Sequence, residues 1–380
     1  MSFTSLGLSP ALIKALVNQK YDKPYPIQQK AIPAILKGKD VLGIAQTGSG
    51  KTASYVLPIL MNLEGKTTTK SRNVNTLVVV PTRELAMQVK EVFITFGNAL
   101  AYPVQSMAVF GGASINPQMK GLYGVNVLIA TPGRLLELVD SKALSLAQVE
   151  TLVLDEADKM LNMGFKDEMN RILALLPPKR QNLLFSATLS KEVNNINQLI
   201  LHDPLVVKIE AEVESIDLIN QTAYAVEEGQ KGPLLRYLIK TKDLKQVLVF
   251  TSSVYKADHV ADKLRKNGIN AEATHSKRSQ GARTERLREF KEGRLQVLVA
   301  TDLLSRGIDI EFLPYVINYE LPRSPKDYVH RIGRTGRAES PGEAVSFVAA
   351  EDQHHFKIIQ KKMGKTVEMI EVDNIDLKGY

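Results

Sequence analysis

Two short strings in this 380-residue chain carry side chains suited to chemistry on a nucleoside triphosphate. Ala45-Gln46-Thr47-Gly48-Ser49-Gly50-Lys51-Thr52 follows the apolar run Val41-Leu42-Gly43-Ile44, and Asp155-Glu156-Ala157-Asp158 follows Thr151-Leu152-Val153-Leu154. In the first, closely spaced glycines let backbone N–H groups face phosphate oxygens. Lys51 can reach the outer phosphates, and the Thr52 hydroxyl can ligate magnesium. In the second, Asp155 would hold the metal through water, and Glu156 could orient or deprotonate the attacking water. The general phosphate loop opens on Gly, whereas Ala45 stands in that slot, so the match is to the Gly-Lys-Thr end.

Such strings work only where loops leave the carboxyl ends of buried parallel strands. The chain alternates short β-rich apolar runs with amphipathic stretches, the grammar of right-handed βαβ units. The first half has runs at 41–44, 76–80, 125–129, 151–154 and 182–185; the second has runs at 246–250, 270–273, 295–299, 315–317 and 344–348. Residues 202–217 read as the crossover, with the boundary near 212. Polar or glycine-bearing loops follow the runs: Pro81-Thr82-Arg83-Glu84, Thr131-Pro132-Gly133-Arg134, Ser186-Ala187-Thr188, Thr251-Ser252-Ser253 and Ala300-Thr301-Asp302. Singly these are ordinary turns; as a series in register with the strands they read as ligand contacts.

Length and composition predict two soluble globular domains, each able to bury a core. There is no Cys, which excludes disulfides and thiol chemistry and suits a reducing compartment. No apolar stretch approaches the roughly 20 residues of a membrane helix, and residues 1–10 lack a basic segment followed by an apolar one, so an intracellular chain without a membrane partner is expected. A net charge of +8 suits a polyanionic partner without identifying it. The densest basic region, residues 277–294, is equally readable as a mixed-charge solvated helix.

Taken together, the strings resemble the DEAD-box RNA helicases over nearly the whole chain. In family order they are Phe3; Tyr21-Asp22-Lys23-Pro24-Tyr25-Pro26-Ile27-Gln28; the phosphate loop; Pro81-Thr82-Arg83-Glu84-Leu85-Ala86; Gly111-Gly112; Thr131-Pro132-Gly133-Arg134; Asp155-Glu156-Ala157-Asp158; and Ser186-Ala187-Thr188. The second half adds Val249-Phe250-Thr251, Gln280 with Arg283, Ala300-Thr301-Asp302 with Arg306-Gly307-Ile308-Asp309, and His330-Arg331-Ile332-Gly333-Arg334-Thr335-Gly336-Arg337. Gln280-Gly281-Ala282-Arg283-Thr284 and the opening Ser2-Phe3 through Gly7-Leu8-Ser9 further resemble the bacterial RhlE-type group.

The resemblance implies an α/β fold of two tandem RecA-like domains, residues 1–211 with the ATP site and its glutamine motif and residues 212–380 as the second lobe. It implies ATP and Mg2+ as cofactors and RNA as the partner. Gln28 would pair with adenine, as carboxamides do in DNA recognition, with Phe3 stacked near the ring. Gly48, Ser49, Gly50, Lys51, Thr52, Gly307 and Asp309 would hold the nucleotide, with Thr52 and Asp155 at the metal. Lys51, Asp155, Glu156, His330, Arg334 and Arg337 would be catalytic, the last two reaching the γ-phosphate. Arg83, Gly112, Thr131, Gly133, Arg134, Thr251, Arg283 and Thr301 would contact RNA phosphates and sugars, giving sequence-tolerant, salt-sensitive binding. Ser186, Thr188, Asp158 and Arg306 would couple the domains. Tyr25 stands where the family commonly has Thr, and Ser276 follows His275 where relatives usually place Gly.

The implied activity is RNA-stimulated ATP hydrolysis coupled to local, poorly processive duplex unwinding by a cytoplasmic monomer. An ATP-gated RNA clamp is the alternative the sequence leaves open, while Gln28 and the Asp155-Glu156-Ala157-Asp158 string disfavour a DNA-directed helicase. Residues 354–365 read as a closing helix beyond the last strand, with no extended basic tail before Tyr380. Targeting is then expected from protein partners of the ribosomal or RNA-decay kind, from loosely specific binding, or from a tail beyond this sequence.

Overall fold

The computed structural model describes residues 2–46, 48–64, 71–209, 219–302, 313–335 and 342–380. Arg306, Gly307, Asp309 and Arg337 lie outside the described residues, as do residues 210–217 of the expected crossover. The chain divides into two compact units, Met1–Ala211 and Glu212–Tyr380. Each is a seven-stranded sheet between helices, and every pairing between the named strands is parallel.

Unit 1 holds β1 (Val41–Ile44), β2 (Thr76–Val79), β3 (Ser106–Val109), β4 (Val127–Ala130), β5 (Thr151–Leu154), β6 (Gln181–Ser186) and β7 (Leu205–Lys208), in the order β3-β4-β2-β5-β6-β1-β7. Alternate residues serve opposite faces, as the pleat requires. Val78, Val153, Leu183 and Phe185 join one apolar layer, while Leu77, Leu152, Leu154 and Leu184 join the other. Full burial of such a side chain contributes about 1.5–3 kcal/mol, which is why these strands are almost unbroken apolar runs. Gly43 breaks the β1 run for a steric reason. A Cβ there would lie 2.5 Å from the Phe185 ring, and that ring also packs against Tyr55 with centroids 5.3 Å apart.

Unit 2 repeats the plan with β8 (Ile219–Ala225), β9 (Val247–Thr251), β10 (Ala271–Thr274), β11 (Val297–Thr301), β12 (Tyr315–Asn318), β13 (Gly342–Val348) and β14 (Glu368–Glu371), ordered β10-β11-β9-β12-β13-β8-β14. Val247 and Val249 face one core layer and Leu248 and Phe250 the other.

Ten strands lie where the apolar runs predict them, within a residue or two. Four do not appear in the sequence reading: β3, β7, β8 and β14. β3, β7 and β14 are edge strands of mixed burial, so they lack the continuous apolar run that marks a central strand. β8 carries the polar run Asn220-Gln221-Thr222, none of it fully buried, which interrupts the apolar signal. Two expectations are therefore corrected. The segment from His202 is not only crossover, since β7 pairs with β1; and the helix Gln353–Met363 is followed by β14, so β13 is not the last strand.

Gly43→Ala is expected to destabilise the chain by about 1–3 kcal/mol through overpacking. The check is a lower urea midpoint at unchanged slope.

Candidate active site

The register of the unit 1 sheet places the chemistry-bearing strings on one rim. Ile44 is level with Ser186 and Val79 with Leu154. The Ala45 N–H then donates to the Ser186 carbonyl and the Asp155 N–H to the Val79 carbonyl, both at 3.0 Å. The loop after β1 turns through Gly48 and Gly50, both at φ +83°, and delivers Lys51 as the first residue of the helix Lys51–Asn62. The Ser49 hydroxyl donates to the Gln46 carbonyl at 2.7 Å, and the Lys51 ammonium donates to the carbonyls of Ala45 and Gln46.

Gln28 lies beneath this loop with none of its surface exposed. Its Nε2 donates to the Gly50 carbonyl at 3.2 Å, and its Oε1 accepts from the Tyr25 N–H at 2.9 Å. The carboxamide thus ties the start of the helix Pro26–Leu36 to the phosphate loop. A Cβ on Gly50 would lie 2.4 Å from Gln28 Nε2, so glycine is required there both for φ and for space. Phe3 is likewise buried, edge-on to Tyr21, whose ring meets Phe96.

Asp155 is 2% exposed, with the buried Lys51 ammonium as its largest source of attraction. The Tyr55 hydroxyl, fully buried, donates to Asp155 Oδ2 at 2.9 Å and is also hydrogen-bonded to Thr52. The Glu156 N–H donates to Asp155 Oδ1 at 2.9 Å. Burial pushes the Asp155 pKa up to about 6; attraction to Lys51 opposes this, repulsion from Glu156 adds to it, and the Tyr55 and Glu156 bonds oppose it. Burial also lowers the Lys51 pKa, offset in part by Asp155, Glu156 and Asp158. Glu156 adopts φ +52° at the start of the helix Ala157–Asn162 and pairs with Lys159 at 2.9 Å. Asp158 accepts from the Thr188 hydroxyl at 2.8 Å, and the Ser186 hydroxyl donates to the Thr188 carbonyl at 2.8 Å, binding the ends of β5 and β6 together.

Farther along the rim, Arg83 and Gly112 meet: a Cβ on Gly112, at φ +73°, would fall 2.0 Å from the Arg83 guanidinium. Arg134 is buried, donating to the Ala113 carbonyl and to Glu137, each at 2.8 Å, while its Nη1 has no hydrogen-bond partner. Thr131 precedes the helix Pro132–Asp140, and space is open beside Gly133.

In unit 2, Thr251 and Thr301 end adjacent strands in register. Thr251 is fully buried, its hydroxyl donating to the Ser253 carbonyl at 3.3 Å; Ser253 caps the helix Val254–Lys266. Arg283 is buried in the helix Gln280–Lys291. In the surrounding basic region Arg278, Arg286, Arg288 and Arg294 each pair with a carboxylate, which makes this largely a mixed-charge surface. His330 and Arg334 flank Arg331, which is 1% exposed. Arg331 donates from Nε and Nη2 to Asp302 at 2.6 and 2.9 Å, and from Nη1 to Asn318 and the Glu320 carbonyl at 3.0 and 2.6 Å. Its guanidinium also lies over the Phe250 ring, 5.0 Å from the centroid. The helix Pro325–Ile332 ends at Gly333, and Arg334 lies in the turn that follows, its N–H donating to the Arg331 carbonyl at 3.2 Å and its carbonyl accepting from the Leu313 N–H at 3.0 Å, beside the bridge between Leu313 and Thr335.

The sequence reading missed Tyr55 and gave Arg331 no role of its own. Tyr55 had a signal: a phenol inside the run Ala53-Ser54-Tyr55-Val56-Leu57, three residues after Thr52, must find a polar partner when buried. Arg331 had none, because its partners lie on three other strand ends.

The oxygen donors gathered here, the Asp155 carboxylate and the Thr52 hydroxyl joined through Tyr55, suit a hard divalent cation carrying phosphates. Residues 25–196 match the family model described as DEAD/DEAH box helicase, and residues 230–339 match that of the helicase conserved C-terminal domain. The chain is 39% identical over 377 residues to the ATP-dependent RNA helicase CshA of Listeria monocytogenes, covering 98% of this chain and 71% of that protein. It is 40% identical to the DEAD-box ATP-dependent RNA helicase CshA of Streptococcus pneumoniae, covering 99% and 71%. Among solved structures it resembles S. cerevisiae Dbp5 bound to RNA and ADP BeF3, with TM-score 0.84, 30% identity, and coverage of 99% of this chain and 97% of that one. No helix among the described residues is long and apolar enough to cross a membrane.

Because the Asp155 pKa lies above the ordinary 3.8, the folded protein binds this proton more tightly than the unfolded chain. Stability therefore falls as pH rises from about 4 to about 6, and the cost is fully present above that window. Asp155→Asn imitates the protonated carboxyl. Losing the Lys51 countercharge costs the variant stability at every pH, so the expected signature is the trend: its melting temperature relative to wild type should improve by at least about 2 °C from pH 4 to pH 8, in calorimetry without nucleotide or metal.

Proposed function

This chain belongs to the DEAD-box family of ATP-dependent RNA helicases, and from that premise we propose how its residues divide the work. It is an RNA-stimulated ATPase that unwinds or remodels RNA. Residues 1–211 act as the ATP-binding RecA-like domain and 212–380 as the second. Gly48, Ser49, Gly50, Lys51 and Thr52 hold the phosphates, helped by Gly307 and Asp309 on the ribose side. Gln28 and Phe3 serve the adenine side; because the Gln28 carboxamide is buried and bonded to Tyr25 and Gly50, pairing with adenine requires it to open toward the ligand, and its bond to Gly50 links that end to the phosphate loop. Mg2+, held by Thr52 and Asp155, would neutralise phosphate charge when bound. Glu156 orients or deprotonates the attacking water, and Arg334 and Arg337 stabilise the transferring phosphoryl group.

Arg83, Gly112, Thr131, Gly133 and Arg134 in unit 1, with Thr251, Arg283 and Thr301 in unit 2, contact the RNA backbone. Backbone contacts tolerate any sequence. Ser186, Thr188, Asp158, Arg306 and His330 couple the two units. ATP and RNA each favour the closed pair, so by linkage each raises affinity for the other. Closure on one strand of a short duplex bends it and sheds the complement, which gives local rather than processive unwinding. The strings at Gln280 and Ser2 support an RhlE-type subgroup. A cytoplasmic monomer with ribosomal or RNA-decay protein partners completes the proposal.

The observation that carries this assignment is the group formed by buried Lys51, Asp155 and Tyr55 with the half-buried Thr52 at the ends of β1 and β5. The test is ATP hydrolysis with and without single-stranded RNA, beside strand displacement from a short duplex. Saturating RNA should raise the rate severalfold, DNA of the same sequence much less, and Arg334→Ala should cut kcat about 10³-fold or more. A rate that RNA leaves unchanged overturns the proposal. RNA retained with an ATP analogue but never displaced would recast the protein as a clamp.

A further inference from the structure

In unit 2 the loop after β9 is short. Thr251 belongs to the strand and Ser253 to the helix cap, so Ser252 is where the backbone conformation remains to be fixed. Glu320 fixes it. Its Oε2 accepts from both the N–H and the hydroxyl of Ser252 at 2.7 Å, and its Oε1 accepts from Lys256 at 2.7 Å. The main chain repeats the attachment, with the N–H groups of Tyr319 and Glu320 donating to the Phe250 carbonyl at 3.0 and 3.3 Å. The carboxylate is 15% exposed, and Lys256 is also bound to Glu228, which in turn pairs with the buried Lys231 at 2.8 Å. Burial alone would push the Glu320 pKa up, but the Lys256 and Ser252 bonds hold it below its ordinary value, so the carboxylate is charged. From the other side, Arg331 holds the Glu320 carbonyl at 2.6 Å.

We propose that Glu320 is a positioning residue for RNA binding, its carboxylate holding Ser252 so that the Thr251–Ser253 loop keeps the shape that receives an RNA phosphate. The inference rests on the reading of that loop as an RNA contact. Glu320 itself touches neither RNA nor nucleotide. Gln at this position cannot reproduce the arrangement, because one oxygen can serve either Ser252 or Lys256 while the amide faces the other donor. The main-chain carbonyl that receives Arg331 is untouched by the change. Loop shape and the arginine segment are therefore separable.

The test compares wild type, Glu320→Gln and Ser252→Ala for RNA-stimulated ATPase across RNA concentration, with fluorescent-ADP affinity and melting temperature alongside. Glu320→Gln should raise the RNA KM about tenfold, the size of a lost charge-assisted bond. The kcat at saturating RNA should stay within about twofold and ADP affinity unchanged. Ser252→Ala, which removes one of the bonds, should shift the RNA KM in the same direction by less. A merely stabilising role would lower the melting temperature and leave the RNA KM where it was, which overturns the proposal. Tighter RNA binding by Glu320→Gln overturns it too, since the carboxylate would then be competing with phosphate. A stimulated wild type with an unaltered variant defeats this inference alone; a wild type indifferent to RNA defeats the underlying assignment as well.

Discussion

Removing a carboxylate from water costs on the order of several kcal/mol unless opposite charge and hydrogen bonds offset it. Asp155 is buried with Lys51 as the countercharge, and it accepts from Tyr55 and from the next backbone N–H. The offset is incomplete, since the carboxyl pKa stays well above its ordinary value. Unit 1 thus holds the carboxylate proposed to bind metal in an environment that disfavours its own ionised state. On the proposed reading, a divalent cation carrying phosphates would supply the missing charge. The rest of the rim follows from this need. The glycine turns let the loop fold over Lys51, the Gln28 carboxamide holds that loop from below, and the apolar layers on both faces of the sheet keep water away.

Unit 2 answers a different need with the same architecture. The groups proposed to meet RNA and nucleotide come from the ends of β9 and β11, from the helix Gln280–Lys291 and from the segment around Gly333, and they must hold a common geometry. Arg331 supplies it. A planar guanidinium with a fixed fork of donors can bond Asp302, Asn318 and the Glu320 carbonyl at once while stacking on Phe250. A lysine at this position could not span those directions. Asn318 and Tyr328 in turn meet at Ser346, so the polar chain reaches into β13. Such a network favours one arrangement because its members bond one another in the interior.

The two units also differ in what their polar strings do. In unit 1 the residues that a ligand would meet lie at strand ends and helix starts, with Lys51 and Asp155 buried. In unit 2 Thr251 turns its hydroxyl inward, and the loop beyond it is shaped from outside by Glu320 and Lys256. Carboxylates are thus set close to a surface read as binding a polyanion. Their charge is already matched by lysine, which limits the repulsion a phosphate would meet.

Much of this was legible in one dimension. Continuous apolar runs mark central parallel strands because both faces must be buried, and glycine beside Lys-Thr or Asp-Glu at such a strand end marks phosphate and metal chemistry, because few other residues supply those torsions and donors. Edge strands β3, β7 and β14 were not legible, since a strand open on one side need not be apolar, and β8 was hidden by its polar run Asn220-Gln221-Thr222. Nor were the partners of Tyr55, Arg331 and Glu320. The sequence determined which residues could bind phosphate and metal and on which strand ends they stand. Only the tertiary structure decided which of them touch, because hydrogen-bond pairing between residues 29 to 100 positions apart, as in Arg331 with Asp302 or Tyr55 with Asp155, depends on strand order, and local pattern does not encode strand order.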